Sequence, residues 1–238
     1  MPTSLRTITG TTGGSRKAFP DDSDLGRILF ERINEGAFHA PIRKLPSAVH
    51  LYSWGDSGDW LYLIQSGWVK SVTWSWGGKP CLLAINGPTD LLGVSSLITR
   101  QRSETAMTKT QAEIRVIAGD QFQQIMADAL LRDAWHRYLT GWIADQQEAL
   151  THFVTLDSKQ RLATTLLRLA RKHGVRTGPA LSITCRITHD ELGQMVGTTR
   201  SRVGYFLRCF EDDQLVERRS QAIVVHEDRL LQYLLAAS

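Results

Sequence analysis

Residues 197–206, Gly-Thr-Thr-Arg-Ser-Arg-Val-Gly-Tyr-Phe, place two arginines, three short hydroxyl side chains and a tyrosine within ten positions. An arginine can make two parallel hydrogen bonds to the edge of a guanine, and short hydroxyls reach base edges or phosphates. Val203, Phe206, Leu207 and Phe210 follow at helical spacing, so they define a buried stripe. Thr199, Arg200, Ser201 and Tyr205 then occupy the exposed side. Arg202 lies nearer the flank, where a phosphate contact is expected.

These side chains need a support that presents the start of their helix. Upstream, Thr188 and Glu191 have the spacing of a capping box, and Leu192 and Val196 give that helix a core face. Gly193 is small where a second helix must cross, Gly197 fits a left-handed turn, and Thr198 can cap the next helix. Two helices joined by such a turn form a helix-turn-helix, with a recognition helix over about 198–210 that suits the major groove of double-stranded DNA. The stretch DDQLVERRSQAIVVHE then reads as strand, turn and strand. This is a wing with Arg218 and Arg219 near its tip. A bare pair of surface helices with solvated arginines is the competing reading, and the wing disfavours it.

Asp157 caps a further helix, SKQRLATTLLRLARKHG, which ends in basic residues and a glycine, and ALSITCRI follows as a strand. Residues 157–238 therefore read as a winged helix-turn-helix domain. From Asp157 on there are 13 Lys/Arg against 9 Asp/Glu, while residues 1–156 hold 15 of each. The excess positive charge thus lies with the DNA-reading unit, as a polyanion partner requires.

The segment 129–156 is helical and free of proline. Trp135, Leu139, Trp142, Gln146, Ala149, Phe153 and Leu156 alternate by four and three residues, the spacing of a heptad seam. Such a stripe either joins two copies of the chain or packs on the chain's own β domain. Residues 24–128 open with a short amphipathic helix carrying Leu25, Ile28, Leu29 and Ile33. Short apolar or alternating runs follow, split by turn residues about every ten positions, as in a β sandwich or barrel. Gly77-Gly78 marks a hairpin. Residues 1–23, rich in Thr, Ser and Gly, read as a flexible tail without the apolar segment of a signal peptide.

Of the 238 residues 42% are hydrophobic, enough for a real core, but no apolar run reaches membrane-spanning length. The three cysteines Cys81, Cys185 and Cys209 are far apart and read as reduced thiols of a cytoplasmic protein. They provide no zinc or iron–sulfur ligand set. Nucleophile-elbow, P-loop and zinc-protease motifs are missing, so an enzyme is not expected.

The segment ITHDELGQMVGTTRSRVGYFLRCFEDDQLVE resembles the DNA-reading pattern of the Crp–Fnr superfamily, the cyclic-AMP receptor protein and its relatives. GDSGDWLYLIQSGWVKSV is similar to that family's β-roll motif, and TDLLGVSSLITRQRSETAMTKTQAEI to its phosphate-cassette region. The resemblance covers about residues 24–238. It implies an α+β fold: an antiparallel β-roll of the cyclic-nucleotide-binding, jelly-roll kind, a long dimerisation helix and the winged helix-turn-helix. It further implies a homodimeric transcription regulator on a palindromic operator, with RNA polymerase as a partner. The cassette departs from the family pattern. Gly93-Val94 stands where cyclic-AMP-binding members have a Gly-Glu pair whose carboxylate holds the ribose, and valine accepts no hydrogen bond. The phosphate-holding pair is present as Arg102-Ser103, though Arg102 can equally be a surface loop residue. Gly93, Val94, Arg102, Ser103 and Gln146 are thus a half-complete effector pocket, and the effector is expected not to be cyclic AMP or to be dispensable. The alternatives are a cyclic-nucleotide response through Arg102-Ser103, or a ligand-binding module without a DNA function. In the recognition helix Ser201 and Tyr205 replace residues common in the family, so an unusual operator is expected.

Overall fold

The computed structural model describes residues 23–220 and 222–236, so the expected tail of residues 1–23 lies almost wholly outside the described residues. Helix α1 (Ser23–Asn34) leads into the strands β1 (Ile42–Leu45), β2 (His50–Tyr52), β3 (Trp60–Ser66), β4 (Val69–Trp74), β5 (Pro80–Asn86) and β6 (Leu91–Leu92). The short α2 (Ser96–Thr99), β7 (Thr105–Thr108) and β8 (Ala112–Ala118) complete this part, followed by α3 (Gly119–Ile125). Two antiparallel sheets, ordered β1-β8-β3-β6 and β2-β7-β4-β5, face each other. Both contribute to one core, with Tyr62, Ile64 and Ile114 from one sheet and Leu51, Val69 and Ala106 from the other. The Gly77-Gly78 hairpin joins β4 and β5 in the register Trp74 to Pro80, as its glycines require.

The second core lies outside the roll. Leu25, Ile28, Leu29 and Ile33 of α1 pack with Leu61, Leu63 and Ile117 of the roll. Helix α4 (Ala129–Thr155) adds Leu131 and Ala134. Asp128 caps α4 by accepting hydrogen bonds from the amides of Leu130 and Leu131, and its other oxygen takes a 2.7 Å bond from Arg32 at the end of α1. One carboxylate therefore starts the long helix and ties it to the first.

Helix α5 (Ser158–His173) begins at Asp157 with a complete capping box closed by Gln160. After it come β9 (Gly174–Thr177), β10 (Ala180–Ile183), α6 (His189–Val196), α7 (Arg200–Asp212), β11 (Val216–Arg218), β12 (Ile223–Val225) and α8 (Glu227–Ala236). The strands form one antiparallel sheet, β11-β12-β10-β9, behind the helices. Leu166, Leu192, Val203, Phe206, Leu207, Phe210, Val225 and Leu230 share its core. Cys185 is buried, and burial pushes its thiol up to about 11, so it stays protonated. Among the described residues no cluster of His, Cys, Asp or Glu could hold a metal ion, and no helix is long and apolar enough to cross a membrane.

Candidate nucleic-acid interface

Helix α6 starts at Thr188. The Thr188 hydroxyl accepts from the Glu191 amide at 3.2 Å, and the Glu191 carboxylate accepts from the Thr188 amide at 3.0 Å. The helix ends at Gly197, whose φ of 70° and ψ of 41° lie in the left-handed region that glycine enters without a Cβ clash. The cap of the next helix departs by one residue from the sequence expectation. Thr199 rather than Thr198 caps α7, accepting from the Arg202 amide at 3.3 Å. The left-handed turn at Gly197 uses up one more residue before the chain can re-enter helix, so Thr198 falls inside the turn.

Val203, Phe206, Leu207 and Phe210 anchor α7 in the core. Arg200, Ser201, Arg202 and Tyr205 face outward, and Tyr205 is 62% exposed. Arg202 stacks over the Phe206 ring at 5.6 Å, which holds it on the flank. The wing strands β11 and β12 bring Arg218 beside this face, where its guanidinium pairs with Glu211. Arg219 stands at the turn of the wing and bonds Glu217 at 3.2 Å. A concave surface of about 500 Å³ results, lined by His189, Arg200, Ser201, Tyr205, Arg208 and Arg218. Arg218 therefore belongs to the same face as Arg200.

His189 and Arg208 were not singled out in the sequence. Arg200, Gly204 and Arg208 are spaced by four and four, a stripe that the apolar pattern around it hides. His189 nestles against Gly204, where a Cβ would approach its Nδ1 to 3.3 Å. Burial, with Arg218 and Arg200 nearby, lowers the His189 pKa, so the ring is neutral at pH 7.

The cassette is closed by its own side chains. Arg102 is 3% exposed, not a surface loop residue. Its guanidinium donates to Ser96 Oγ at 2.7 Å and to the Gly93 carbonyl at 3.4 Å. It lies 4.4 Å over the Tyr52 ring and 5.2 Å from the Tyr62 ring. The Tyr52 hydroxyl donates to Glu104 at 2.6 Å, and burial together with Glu104 keeps that phenol protonated. Ser103 bonds Ser95 at 2.8 Å and Glu104 at 2.6 Å. Val94 packs into the outer core and Gln146 is exposed on α4, so the five residues expected to form one pocket divide between separate surroundings.

The expected stripe of the long helix divides between an inward and an outward part. The Trp135 ring turns inward, edge-on to Phe122 at 5.0 Å and stacked on Tyr138 at 5.7 Å. Leu139, Ala149 and Leu156 are half-buried, whereas Trp142, Ile143, Leu150, Phe153 and Val154 are exposed. The first turns of α4 are used against α1 and α3, and the apolar face left open runs from Trp142 and Ile143 through Leu150 to Phe153 and Val154.

Residues 42–129 match the model of the cyclic nucleotide-binding domain, and residues 160–233 that of the Crp-like helix-turn-helix domain. The chain is 30% identical over 196 residues to the cAMP-activated global transcriptional regulator CRP of Salmonella typhimurium, covering 80% of this chain and 92% of that protein. It is 27% identical over 226 residues to the CRP-like cAMP-activated global transcriptional regulator of Mycobacterium tuberculosis, covering 85% and 94%. A CooA mutant from Carboxydothermus hydrogenoformans shares the fold with a TM-score of 0.72 at 20% identity, over 87% of this chain and 95% of that one. FixK2 from Bradyrhizobium japonicum does so with a TM-score of 0.71 at 16% identity, over 82% and 97%.

Proposed function

This chain belongs to the Crp–Fnr superfamily of transcription regulators, and we propose that it acts as a homodimer on a palindromic DNA operator in the cytoplasm. The observation that carries this reading is the exposed set Arg200, Ser201 and Tyr205 on a helix whose other face is locked in the core. Arg200 reads a base edge, most simply a guanine, while Arg202, Arg208, Arg218 and Arg219 meet phosphates. Thr188 and Thr199 are partly committed to their caps, and with Thr198 they lie at or near helix starts, where they meet backbone phosphate. The exposed face of α4 is the surface for the second copy, and two copies place their reading helices in half-sites about 34–36 Å apart. RNA polymerase is the partner through which such a regulator acts.

We infer that the regulator does not depend on cyclic AMP, and either answers another effector or needs none. Val94 supplies no acceptor for a ribose hydroxyl, and Arg102 is already engaged by Ser96, Gly93 and two tyrosine rings. The reading is tested by selecting bound sequences from a random double-stranded library with purified protein. A two-fold symmetric motif is expected, and recovery of no motif would overturn it.

A further inference from the structure

Of the residues lining the DNA-facing groove, His189 alone carries a charge that can change near neutral pH. It is half-buried at the start of α6, with its ring seated against α7 in the gap that Gly204 leaves. Among the described residues neither ring nitrogen has a hydrogen-bond partner. The ring is thus held in place by packing while its polar atoms stay uncommitted.

Its surroundings are cationic. Arg200 and Arg208 on α7 and Arg218 on β11 line the same groove, and Arg186 and Arg219 line the adjoining hollow that His189 also borders. The Cys185 thiol in that hollow stays protonated. Two carboxylates stand near, and both are engaged: Glu211 pairs with Arg218, and Asp190 takes a 2.7 Å bond from Gln194. In the free protein burial, then Arg218 and Arg200, hold the His189 pKa below its ordinary value, with Glu211 opposing them. A DNA phosphate reverses that balance. Its charge offsets the guanidiniums, and its oxygens accept from a ring that donates through one nitrogen when neutral and through both when protonated.

We propose that His189 contacts a DNA phosphate and takes up a proton as it does so, which makes part of the affinity depend on pH but not on sequence. The proposal rests on the DNA-reading function above and deepens it. A proton gained on binding makes affinity fall as pH rises, over the window from the pKa of the free protein, below 6.5, up to that of the complex. The test measures binding of the full chain to the strongest duplex recovered from the library and to a random duplex. It is run at about pH 6 and about pH 8, over a range of salt in phosphate-free buffer. Wild type is expected to gain about three- to tenfold more affinity at the lower pH than His189→Gln does, on both duplexes, the worth of half to one unit of pKa difference between free and bound protein. Its slope of log affinity against log salt should steepen at the lower pH by up to about 0.9, the release of one further counterion. His189→Arg, which is always charged, should show the steeper slope at both pH values. Should His189→Gln fail to fold, the wild-type slopes and His189→Arg decide. Equal pH dependence in wild type and His189→Gln, a wild-type salt slope that pH leaves unchanged, or a pH effect confined to the selected duplex would each overturn the contact. Binding without sequence preference that keeps the pH-dependent slope would overturn the sequence reading alone, and a wild type that binds neither duplex would overturn both.

Discussion

The carbonyl oxygen of Thr198 lies 2.9 Å from the point a Cβ on Gly193 would occupy. The turn of the reading unit thus folds back over its first helix at a distance that admits no side chain. Gly193→Ala is expected to destabilise the fold by about 1–3 kcal/mol, the cost of forcing one methyl into a packed crossing. Denaturant unfolding measures this; an unchanged midpoint would show that the backbone yields freely there.

Arg200 is exposed at the first position of α7 with a capped helix behind it. Arg200→Ala should weaken binding to the selected duplex by about 1–3 kcal/mol, the value of one bidentate base contact, and leave random-sequence binding nearly intact. Equal losses on both duplexes would assign Arg200 to phosphate.

The open face of α4 makes Leu150 and Val154, at 67% and 78% exposure, the positions where a second copy would be felt most. Leu150→Glu should shift the protein to a monomer in sedimentation at micromolar concentration. Gln146→Leu should leave the dimer as stable or more so, since a polar seam residue sets register at a cost in stability. A wild type that sediments as a monomer would sink this assignment.

Calorimetry with cyclic AMP or cyclic GMP should detect no binding tighter than about 1 mM, near −4 kcal/mol. A micromolar constant would mean that a phosphate displaces the tyrosine rings from Arg102.

Burial, the strongest influence on His173, lowers its pKa below the ordinary 6.5; Lys172 and Arg168 push the same way, against Asp90 and the Ile85 carbonyl. The unfolded chain therefore binds the proton more readily, and stability is full above pH 6.5 and lost as pH falls toward the folded value. Glu191, also lowered, adds a second loss below its ordinary 4.5. Melting temperature should fall between about pH 7 and pH 5, and His173→Gln should flatten the upper part of that fall.

Much of the reading unit was legible because its signals are local. The capping box of Thr188 and Glu191, the left-handed Gly197 and the buried stripe of α7 each depend on residues within a turn or two of one another. The cap at Thr199 was missed by one residue because two threonines are adjacent and only the turn geometry chooses between them. The seam was legible as a period but not as a direction. Spacing cannot tell that Trp135 faces Phe122 while Leu150 faces outward. The contact of Lys109 with Glu191 spans 82 residues, and the burial of Arg102 depends on tyrosines brought up from two other strands. Neither leaves a trace in the local pattern. Helix α8 and strand β9 were passed over because each follows a segment already assigned to an end.

Phe153 is half exposed on the open face of α4, and its ring lies 3.2 Å from where a Cβ on Gly197 would sit, while Arg161 covers it at 4.8 Å and bonds the Val196 carbonyl at 2.9 Å. One aromatic ring thus touches both the surface offered to a second copy and the hinge of the reading motif. If the chain pairs through this face as proposed, assembly and DNA recognition are expected to be thermodynamically linked: whatever factor pairing adds to operator affinity, the operator must return to pairing. Excess operator would hold the pair together at concentrations where the free protein falls apart, so DNA binding would survive dilution further than the loss of free dimers predicts.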